Sequence, residues 1–330
     1  MHSIRLHALF TTSKMRCDIP LLTRPSQGLL AVTLVFWALH GNAAENEKSP
    51  SGPRFSAELG VGVEHDNNIA VEEVDRASDE SDYALTLNGG IGVKQDLSSN
   101  AEISLTYDYS QNIYKEFSQV DRQTHLLGTS LDFDLENVDT GISFFYINSR
   151  LDGDAFLELY RASPSISGFL AKKWFARAAY VYSDKTIENR SARDATANSG
   201  EADIYYFRRG LRSYFNVGYR FKDEDANADQ YDYQSNSLKL RYIHRIELFS
   251  RLAKLELAWR YEDRDYSSNT PSIGEERSDQ RNRWRLDFEI PVMGNAGVVQ
   301  FYYGYADYDS NLPQADYNQT ITGTRFVHRW

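Results

Sequence analysis

An apolar residue at every second position, repeated over about fourteen segments, most limits what this 330-residue chain can fold into. Residues 281–293 show the pattern most clearly. Successive side chains of a β-strand point to opposite faces, so a period of two predicts strands rather than helices. Each strand then has one apolar face and one polar face, as in a barrel with lipid outside and water inside. In residues 281–293 the apolar face carries Trp284, Leu286, Phe288, Ile290 and Val292, and the polar face carries Arg283, Arg285, Asp287 and Glu289.

The connections between these segments alternate between short and long. The short ones fall at 96–100, 137–140, 171–173, 209–213, 246–251 and 293–296, and the longer, more polar ones at 67–82, 186–200, 223–230, 266–279 and 309–317. Bacterial outer-membrane barrels have short periplasmic turns and longer external loops. The sequence therefore predicts an all-β fold over residues 54–330: a closed antiparallel up-and-down transmembrane β-barrel of about 14 strands. We expect it in the outer membrane of a Gram-negative bacterium, with both termini in the periplasm.

The first 44 residues read as a secretory signal peptide. Basic residues precede an apolar run from Gly28 to Leu39, and the small residues Ala43 and Ala44 follow it. The run is too short for a membrane-spanning helix, which needs roughly 20 residues. We expect cleavage near Ala44 and a short periplasmic segment at 45–53. The pattern leaves open whether translation begins at Met1 or Met15.

Composition excludes several classes of protein. The only cysteine is Cys17, inside the predicted signal peptide, so a disulfide scaffold and a thiolate metal site are not expected. The formal net charge of −11 argues against a nucleic-acid partner. The mature histidines are scattered, and no nucleophile-elbow or zinc-protease motif occurs. We therefore predict no enzyme activity, no cofactor and no metal site.

Charged residues fill the polar faces of two neighbouring predicted strands. Side chains of opposite charge on one sheet face can pair across strands, so these residues are interpreted as lining and bracing a wet lumen. The alternative is a substrate or ion filter, since rings of charge tune pores. The lumen-lining candidates are Lys254, Glu256, Arg260, Glu262, Arg283, Arg285, Asp287 and Glu289.

Two predicted external loops are acidic. We expect their carboxylates to be solvated surface; the alternative is that divalent cations bridge them to lipopolysaccharide phosphates. The first loop carries Glu72, Glu73, Asp75, Asp79, Glu80 and Asp82, and the other carries Asp223, Glu224, Asp225 and Asp229.

Several segments resemble the C-terminal β-barrel of the surface lipoprotein assembly modifier family. They are residues 64–69, 261–266, 271–275 and 307–311, together with the closing strand around Phe326. The resemblance implies a fourteen-stranded barrel that helps to deliver lipoproteins to the cell surface. Typical members carry a periplasmic helical-repeat domain before the barrel, and we expect none here because so few residues precede the first strand. Either a separate periplasmic repeat protein then captures the substrate, or the barrel has been repurposed as a channel.

The expected function is therefore translocation or surface delivery of lipoproteins, or other export across the outer membrane. The alternative is a passive, porin-like diffusion channel for small polar solutes. Expected partners are outer-membrane lipids, lipopolysaccharide, a lipoprotein substrate and the barrel-assembly machinery. Phe326 and Trp330, aromatic residues on the last strand, are the predicted assembly signal.

Overall fold

The computed structural model describes residues 52–248 and 250–330. The predicted signal peptide, the alternative start codons and most of the segment 45–53 lie outside these residues. Fourteen antiparallel strands form one closed barrel, which confirms the predicted fold and strand number. Two further strands of two residues each pair with one another inside the first long connection.

The barrel strands range from 13 to 20 residues in length. All are longer than the roughly 9 to 11 residues that a spanning strand needs, so each extends beyond the hydrocarbon layer. The strands are β1 (Arg54–Asp66), β2 (Ala70–Val71), β3 (Arg76–Ala77), β4 (Asp82–Ser98), β5 (Ala101–Tyr114), β6 (Arg122–Leu135), β7 (Val138–Leu151), β8 (Asp154–Ala171), β9 (Trp174–Ile187), β10 (Ala195–Leu211), β11 (Ser213–Ala226), β12 (Tyr233–Leu248), β13 (Arg251–Thr270), β14 (Glu275–Val292), β15 (Gly297–Ser310) and β16 (Tyr317–Arg329), of which β2 and β3 are the two short ones.

Strand β1 closes the barrel by pairing with both β4 and β16. Val61 lies opposite Phe326 on β16 and opposite Leu87 on β4. The seam is tight at Gly62, where an added Cβ would lie 2.4 Å from the Thr324 carbonyl oxygen. Glycine is therefore needed there for the first and last strands to meet.

The apolar face of each strand is the exposed one. Leu59, Ile91 and Trp284 keep 59%, 58% and 54% of their surface accessible, although these residue types are usually buried in water-soluble proteins. The lipid-facing band predicted from the period of two is thus present. Among the described residues, no helix has the length and apolar character required to cross a bilayer.

Connection length mostly follows strand parity. At one end of the barrel the links are 99–100, 136–137, 172–173, 212, 249–250 and 293–296; at the other they are 67–81, 115–121, 152–153, 188–194, 227–232, 271–274 and 311–316. We call these the short-turn end and the long-loop end. The four-residue link 293–296 equals 271–274 at the other end in length. One link at the long-loop end, Asp152–Gly153, is as short as a hairpin turn, and both of its residues have positive φ (54° and 74°), as a two-residue hairpin turn requires.

Most of the polar segments predicted as long loops are shorter than expected. The strands extend beyond the length needed to span the membrane and include residues predicted as loop. Of residues 266–279, for example, only 271–274 lie between β13 and β14. The polar composition reflects strand ends beyond the lipid rather than irregular loops. The connection that stays long is the first one, 67–81.

Candidate functional site: an acidic loop held inside an arginine-lined barrel

The first connection folds into the barrel instead of extending into solvent. Its strands β2 and β3 form a small hairpin around a 3-10 turn at Glu72–Val74. Ile69, Ala70 and Asp75 are only 2%, 3% and 4% exposed. The expectation of a solvated acidic loop is therefore wrong for this part of it. We call residues 67–81 the plug loop.

Only the base of the plug loop behaves as expected. Asp79 and Glu80 are exposed, as a solvated loop requires. Asp82 is buried at the start of β4, where it accepts hydrogen bonds from the backbone N–H groups of Tyr83, Glu116 and Phe117. Its carboxylate therefore orders the neighbouring loop.

Glu72 is held by arginines on the inner faces of β13 and β14. Its carboxylate lies 2.5 Å from Arg281, 2.7 Å from Arg283 and 3.7 Å from Arg264. The Tyr308 hydroxyl donates to its second oxygen at 3.3 Å. One loop carboxylate thus pairs with three wall arginines.

Asp75 is held by two further arginines. Arg277 on β14 donates from two nitrogens to the two carboxylate oxygens, each at 2.9 Å, and Arg193 donates at 2.6 Å. Such fork-shaped pairing is the strong form of an arginine–carboxylate contact. Arg193 belongs to the 3-10 turn Ser191–Arg193 between β9 and β10, so Asp75 connects β14 with the far side of the barrel.

Glu73 points to yet another part of the wall. Its side chain pairs with Arg122 on β6 at 2.8 Å. Its backbone carbonyl accepts a hydrogen bond from Arg193 at 3.2 Å. Three carboxylates within four residues therefore contact different strands, and the plug loop bridges the lumen.

Apolar contacts hold the loop between these charged groups. Val74, 8% exposed, packs in a cluster with Phe156 and Leu157 of β8 and Ile187 of β9. Ile69 packs against Ala84 and Tyr114. The plug loop therefore has a core of its own, which an ordinary solvated loop lacks.

The arginines change the acidity of the loop carboxylates. Burial alone raises the pKa of Glu72, but the positive charges of Arg283, Arg281 and Arg264 outweigh it and lower the pKa to about 2. Burial likewise opposes ionisation of Asp75, and the hydrogen bonds and charges of Arg277 and Arg193 hold its pKa below the usual range. Both groups are ionised at neutral pH.

The predicted lumen-lining residues lie on the inner faces of β13 and β14. The strand register places opposite charges against each other at some positions and like charges at others. Lys254 lies opposite Glu289 and contacts it at 3.1 Å. Arg260, in contrast, lies opposite Arg283, and like charges directly opposite one another are destabilising. The wall is therefore not neutral by itself at this level of the lumen.

The other candidates find acidic or basic neighbours within the wall. Glu256 pairs with Arg241 and Lys254, although Asp287 lies opposite it in the register. Glu262 pairs with Arg264 at 2.9 Å and with Arg220 at 3.8 Å. Arg285 pairs with Asp287 at 2.7 Å. These ion pairs connect neighbouring side chains on the inner face of the wall.

Arg260 differs from the other candidates. Within the described ranges it has no hydrogen bond and no ion pair within 4 Å. It contributes positive charge next to Arg283 without its own carboxylate. The acids whose charges offset this excess are Glu262 of the wall and Glu72 of the plug loop.

Comparison with known proteins places the chain in a family. The family model of the surface lipoprotein assembly modifier matches residues 46–323, which include nearly the whole barrel. The chain belongs to the surface lipoprotein assembly modifier family. The resemblance found in the sequence is confirmed, and so is the outer-membrane location that it implied. A comparison with functionally curated sequences gave no match.

Solved structures show the same fold in outer-membrane proteins. The anion-selective porin from Comamonas acidovorans is 10% identical over 86% of this chain and 100% of that chain, with a TM-score of 0.51. Outer-membrane expressed OmpT of Vibrio cholerae is 10% identical over 87% of this chain and 100% of that chain, with a TM-score of 0.50. At this identity the likeness shows the fold alone.

The two residues predicted as the assembly signal lie on or next to β16. Phe326 lies opposite Val61 on β1 and Val299 on β15. Trp330 is 69% exposed, and its backbone N–H donates to the Ala57 carbonyl at 3.0 Å. The chain therefore ends against β1, at the seam where the barrel closes.

Sequence reasoning placed Arg283 in the lumen but did not connect it, or the other arginines, with the first loop, because the arginines that hold the loop lie on four different elements. The sequence does contain a signal for the docking: Ile69, Ala70, Val71 and Val74 are apolar residues in a segment whose other residues are mostly polar or charged. In the part of the chain that the structure describes, no group of three or more His, Cys, Asp or Glu residues is placed to hold a metal ion. The carboxylates of Glu72, Glu73 and Asp75 meet arginines instead.

Proposed function

We propose that this outer-membrane barrel helps to deliver lipoproteins to the cell surface. The observation that carries the proposal is membership of the surface lipoprotein assembly modifier family over residues 46–323. The partners in this proposal are a lipoprotein, a periplasmic protein that presents it, and the barrel-assembly machinery that inserts the barrel.

The occupied lumen supports a gated route over passive diffusion. Glu72, Glu73 and Asp75 bridge opposite parts of the wall, and Val74 fills an apolar cluster between them. A loop held by several ion pairs and an apolar core opens only rarely, because breaking a buried pair from one side costs several kcal/mol. A barrel that moves a large substrate needs such a closure between transport events.

We also infer a non-catalytic role. The four histidines of the described residues are His65, His125, His244 and His328. None of them hydrogen-bonds a carboxylate within those residues, and His125 instead contacts Tyr107 and Gln123. A histidine base oriented by an acid, the usual arrangement of a hydrolytic site, is not formed by these side chains.

The test is surface display of lipoproteins in the native host with the gene deleted and then restored. Membrane-impermeant biotin labels surface lipoproteins in intact cells, and total lipoprotein is measured after lysis. We expect deletion to lower the surface fraction of at least one lipoprotein without lowering its total amount, and the restored gene to recover it. An inner-leaflet lipoprotein serves as the control for membrane integrity.

The contrary outcome is an unchanged surface fraction for every detected lipoprotein. If the purified wild-type barrel also gives steady conductance in planar bilayers, the passive-channel alternative replaces the proposal. Single-channel recordings of the wild-type protein therefore accompany the display assay, and we expect them to show a closed barrel with rare openings.

A further inference from the structure

We propose that the arginine-lined wall of the lumen is a binding site for an extended acidic peptide segment, and that the plug loop is its built-in occupant. The sequence that the wall recognises is two acidic residues, one apolar residue and a third acidic residue, as in Glu72–Glu73–Val74–Asp75. An external segment with this pattern would displace the loop. That the segment belongs to the translocated lipoprotein rests on the proposed function.

The wall that faces the plug loop carries more arginines than carboxylates. Its Glu262 pairs with Arg264 and Arg220 and also acts on Arg260 and Arg283. Its Asp279 is shared by Arg277 and Arg281.

Arg260 and Arg283 lie directly opposite one another, and Arg260 has no carboxylate within 4 Å among the described residues. The one ion pair that Arg283 makes within 4 Å in those residues is with Glu72. If the loop left without a replacement, Glu262 would be the wall carboxylate left to act on both arginines, and it already pairs with Arg264 and Arg220. The positive charge there would be only partly compensated, which is unfavourable where the groups are shielded from water.

The contacts are specific for a peptide. Arg277 takes both oxygens of the Asp75 carboxylate in a fork, a geometry suited to a planar carboxylate. Arg193 hydrogen-bonds the backbone carbonyl of Glu73. A phosphate oxygen could accept from a single arginine, but a peptide supplies the carbonyl and the neighbouring carboxylates at the spacing that these arginines contact.

The apolar cluster between the arginines adds a second requirement. Val74 lies among Phe156, Leu157 and Ile187, between the contacts of Glu73 and those of Asp75. A ligand that carries only charge would leave this cluster open to water. An apolar side chain between the acids fills it, and this is why an acidic peptide, and not lipopolysaccharide phosphate, is the proposed ligand.

The loop can be removed with little change to the barrel. The Ser78 N–H donates to the Ile69 carbonyl at 2.8 Å, so the two ends of the inserted part already lie side by side. Replacing residues 70–77 by two glycines should therefore leave β1 and β4 paired as before. The resulting loopless barrel exposes the proposed site.

The first experiment measures binding of a fluorescent peptide with the sequence of residues 69–78 to the loopless barrel in detergent. We expect saturable binding at least tenfold tighter than for a peptide with the changes Glu72→Gln, Glu73→Gln and Asp75→Asn. A peptide with Val74→Ser should bind more weakly than the parent peptide, and inorganic tripolyphosphate should compete poorly. Equal binding of the parent and neutral peptides, or full competition by tripolyphosphate, would overturn the proposal.

Two double variants of the wall test whether the peptide binds at the proposed arginines. Arg281→Gln with Arg283→Gln in the loopless barrel should abolish peptide binding. Arg208→Gln with Arg209→Gln is the matched control, because these exposed arginines near the short-turn end touch none of the loop. If both double variants bind the peptide equally, the site is not the one proposed.

A second experiment uses the intact chain, so the proposal does not depend on the folding of the loopless barrel. Ala70→Cys places a thiol in the buried part of the plug loop, and its labelling rate reports loop displacement. Adding the parent peptide in excess should raise the rate, whereas the neutral peptide should not. An unchanged rate at saturating parent peptide would refute displacement.

Failure of this inference can be distinguished from failure of the proposed function. If deletion of the gene abolishes lipoprotein display but no peptide binds, delivery stands and the acidic-peptide site falls. If the peptide binds and displaces the loop but display is unaffected by deletion, the site stands and its assignment to a lipoprotein segment falls.

Discussion

Removing one charge from the plug loop should loosen its docking in the barrel. The variant is Glu72→Gln, which keeps the shape and hydrogen-bonding ability of the side chain but not its charge. The pKa of Glu72 falls from 4.5 to about 2 in the docked loop. A shift of this size corresponds to about 3 kcal/mol of docking free energy at neutral pH. Docking should weaken by roughly a hundredfold.

A single buried thiol measures this change. Ala70 is 3% exposed in the docked loop, and cysteine is close to alanine in size and tolerates burial. Because the only native cysteine, Cys17, lies in the predicted signal peptide, Ala70→Cys supplies the one reactive thiol. The rate of labelling by a maleimide is then proportional to the fraction of undocked loops. We expect Glu72→Gln to raise this rate by roughly a hundredfold over Ala70→Cys alone.

The matched control is Glu80→Gln in the same background. Glu80 belongs to the same loop and loses the same charge, but its side chain is exposed. It should leave the labelling rate unchanged. If Glu72→Gln labels within about threefold of the parent, less than 1 kcal/mol separates them and the arginines do not hold the loop. If both variants accelerate labelling equally, the effect is one of net charge and not of the Arg281–Glu72 and Arg283–Glu72 contacts.

Three further predictions concern pH, the seam and assembly. Because the pKa of Glu72 is lowered, its contribution to docking is complete above the ordinary value of 4.5 and is lost as the pH falls through about 2. Pepsin should therefore cleave the plug loop at pH 2 but not at pH 4. Cleavage at both pH values would show that the charge of Glu72 does not hold the loop. Gly62→Ala places a Cβ 2.4 Å from the Thr324 carbonyl oxygen and should destabilise the barrel by about 1–3 kcal/mol. This should lower the transition temperature in the heat-modifiable gel shift. The control Gly200→Ala, whose added Cβ has no atom within 4 Å, should leave that temperature unchanged. Deleting Trp330 should reduce the amount of folded barrel in the outer membrane and Trp330→Phe should preserve it; normal amounts after deletion would exclude an assembly role for this residue.

The barrel could be predicted from the sequence because its main determinant is local. A period of two puts Leu286 and Arg285 on opposite faces whatever the rest of the chain does. The number of strands follows from counting such segments, and the orientation of Arg260 and Arg283 toward the lumen follows from parity. These features need no knowledge of distant contacts.

The docked loop could not be predicted because its determinants are distant in sequence. Glu72 and Arg283 are separated by 211 residues, and Asp75 and Arg277 by 202. Acidic composition by itself favours solvent exposure. The register has the same limit: alternation shows that Arg260 and Arg283 both face inward, but only strand pairing shows that they lie directly opposite each other.

The docked plug loop and a bound acidic segment would occupy the same arginines, so closure of the lumen and binding of the segment are alternative states of one equilibrium. The loop is stable in the lumen because it supplies carboxylates to Arg277, Arg281 and Arg283. Arg277 and Arg281 share Asp279 as their wall carboxylate, and within the described residues Arg283 makes its one ion pair with the loop. A ligand can shift such an equilibrium only through its different affinity for the two states. A segment that brings its own carboxylates binds only the undocked wall and so favours opening, whereas a small neutral solute meets the same affinity in both states and leaves the loop in place. We therefore expect such a barrel to open in response to an acidic segment, and a variant with permanently neutralised arginines to lose both the closure and the response.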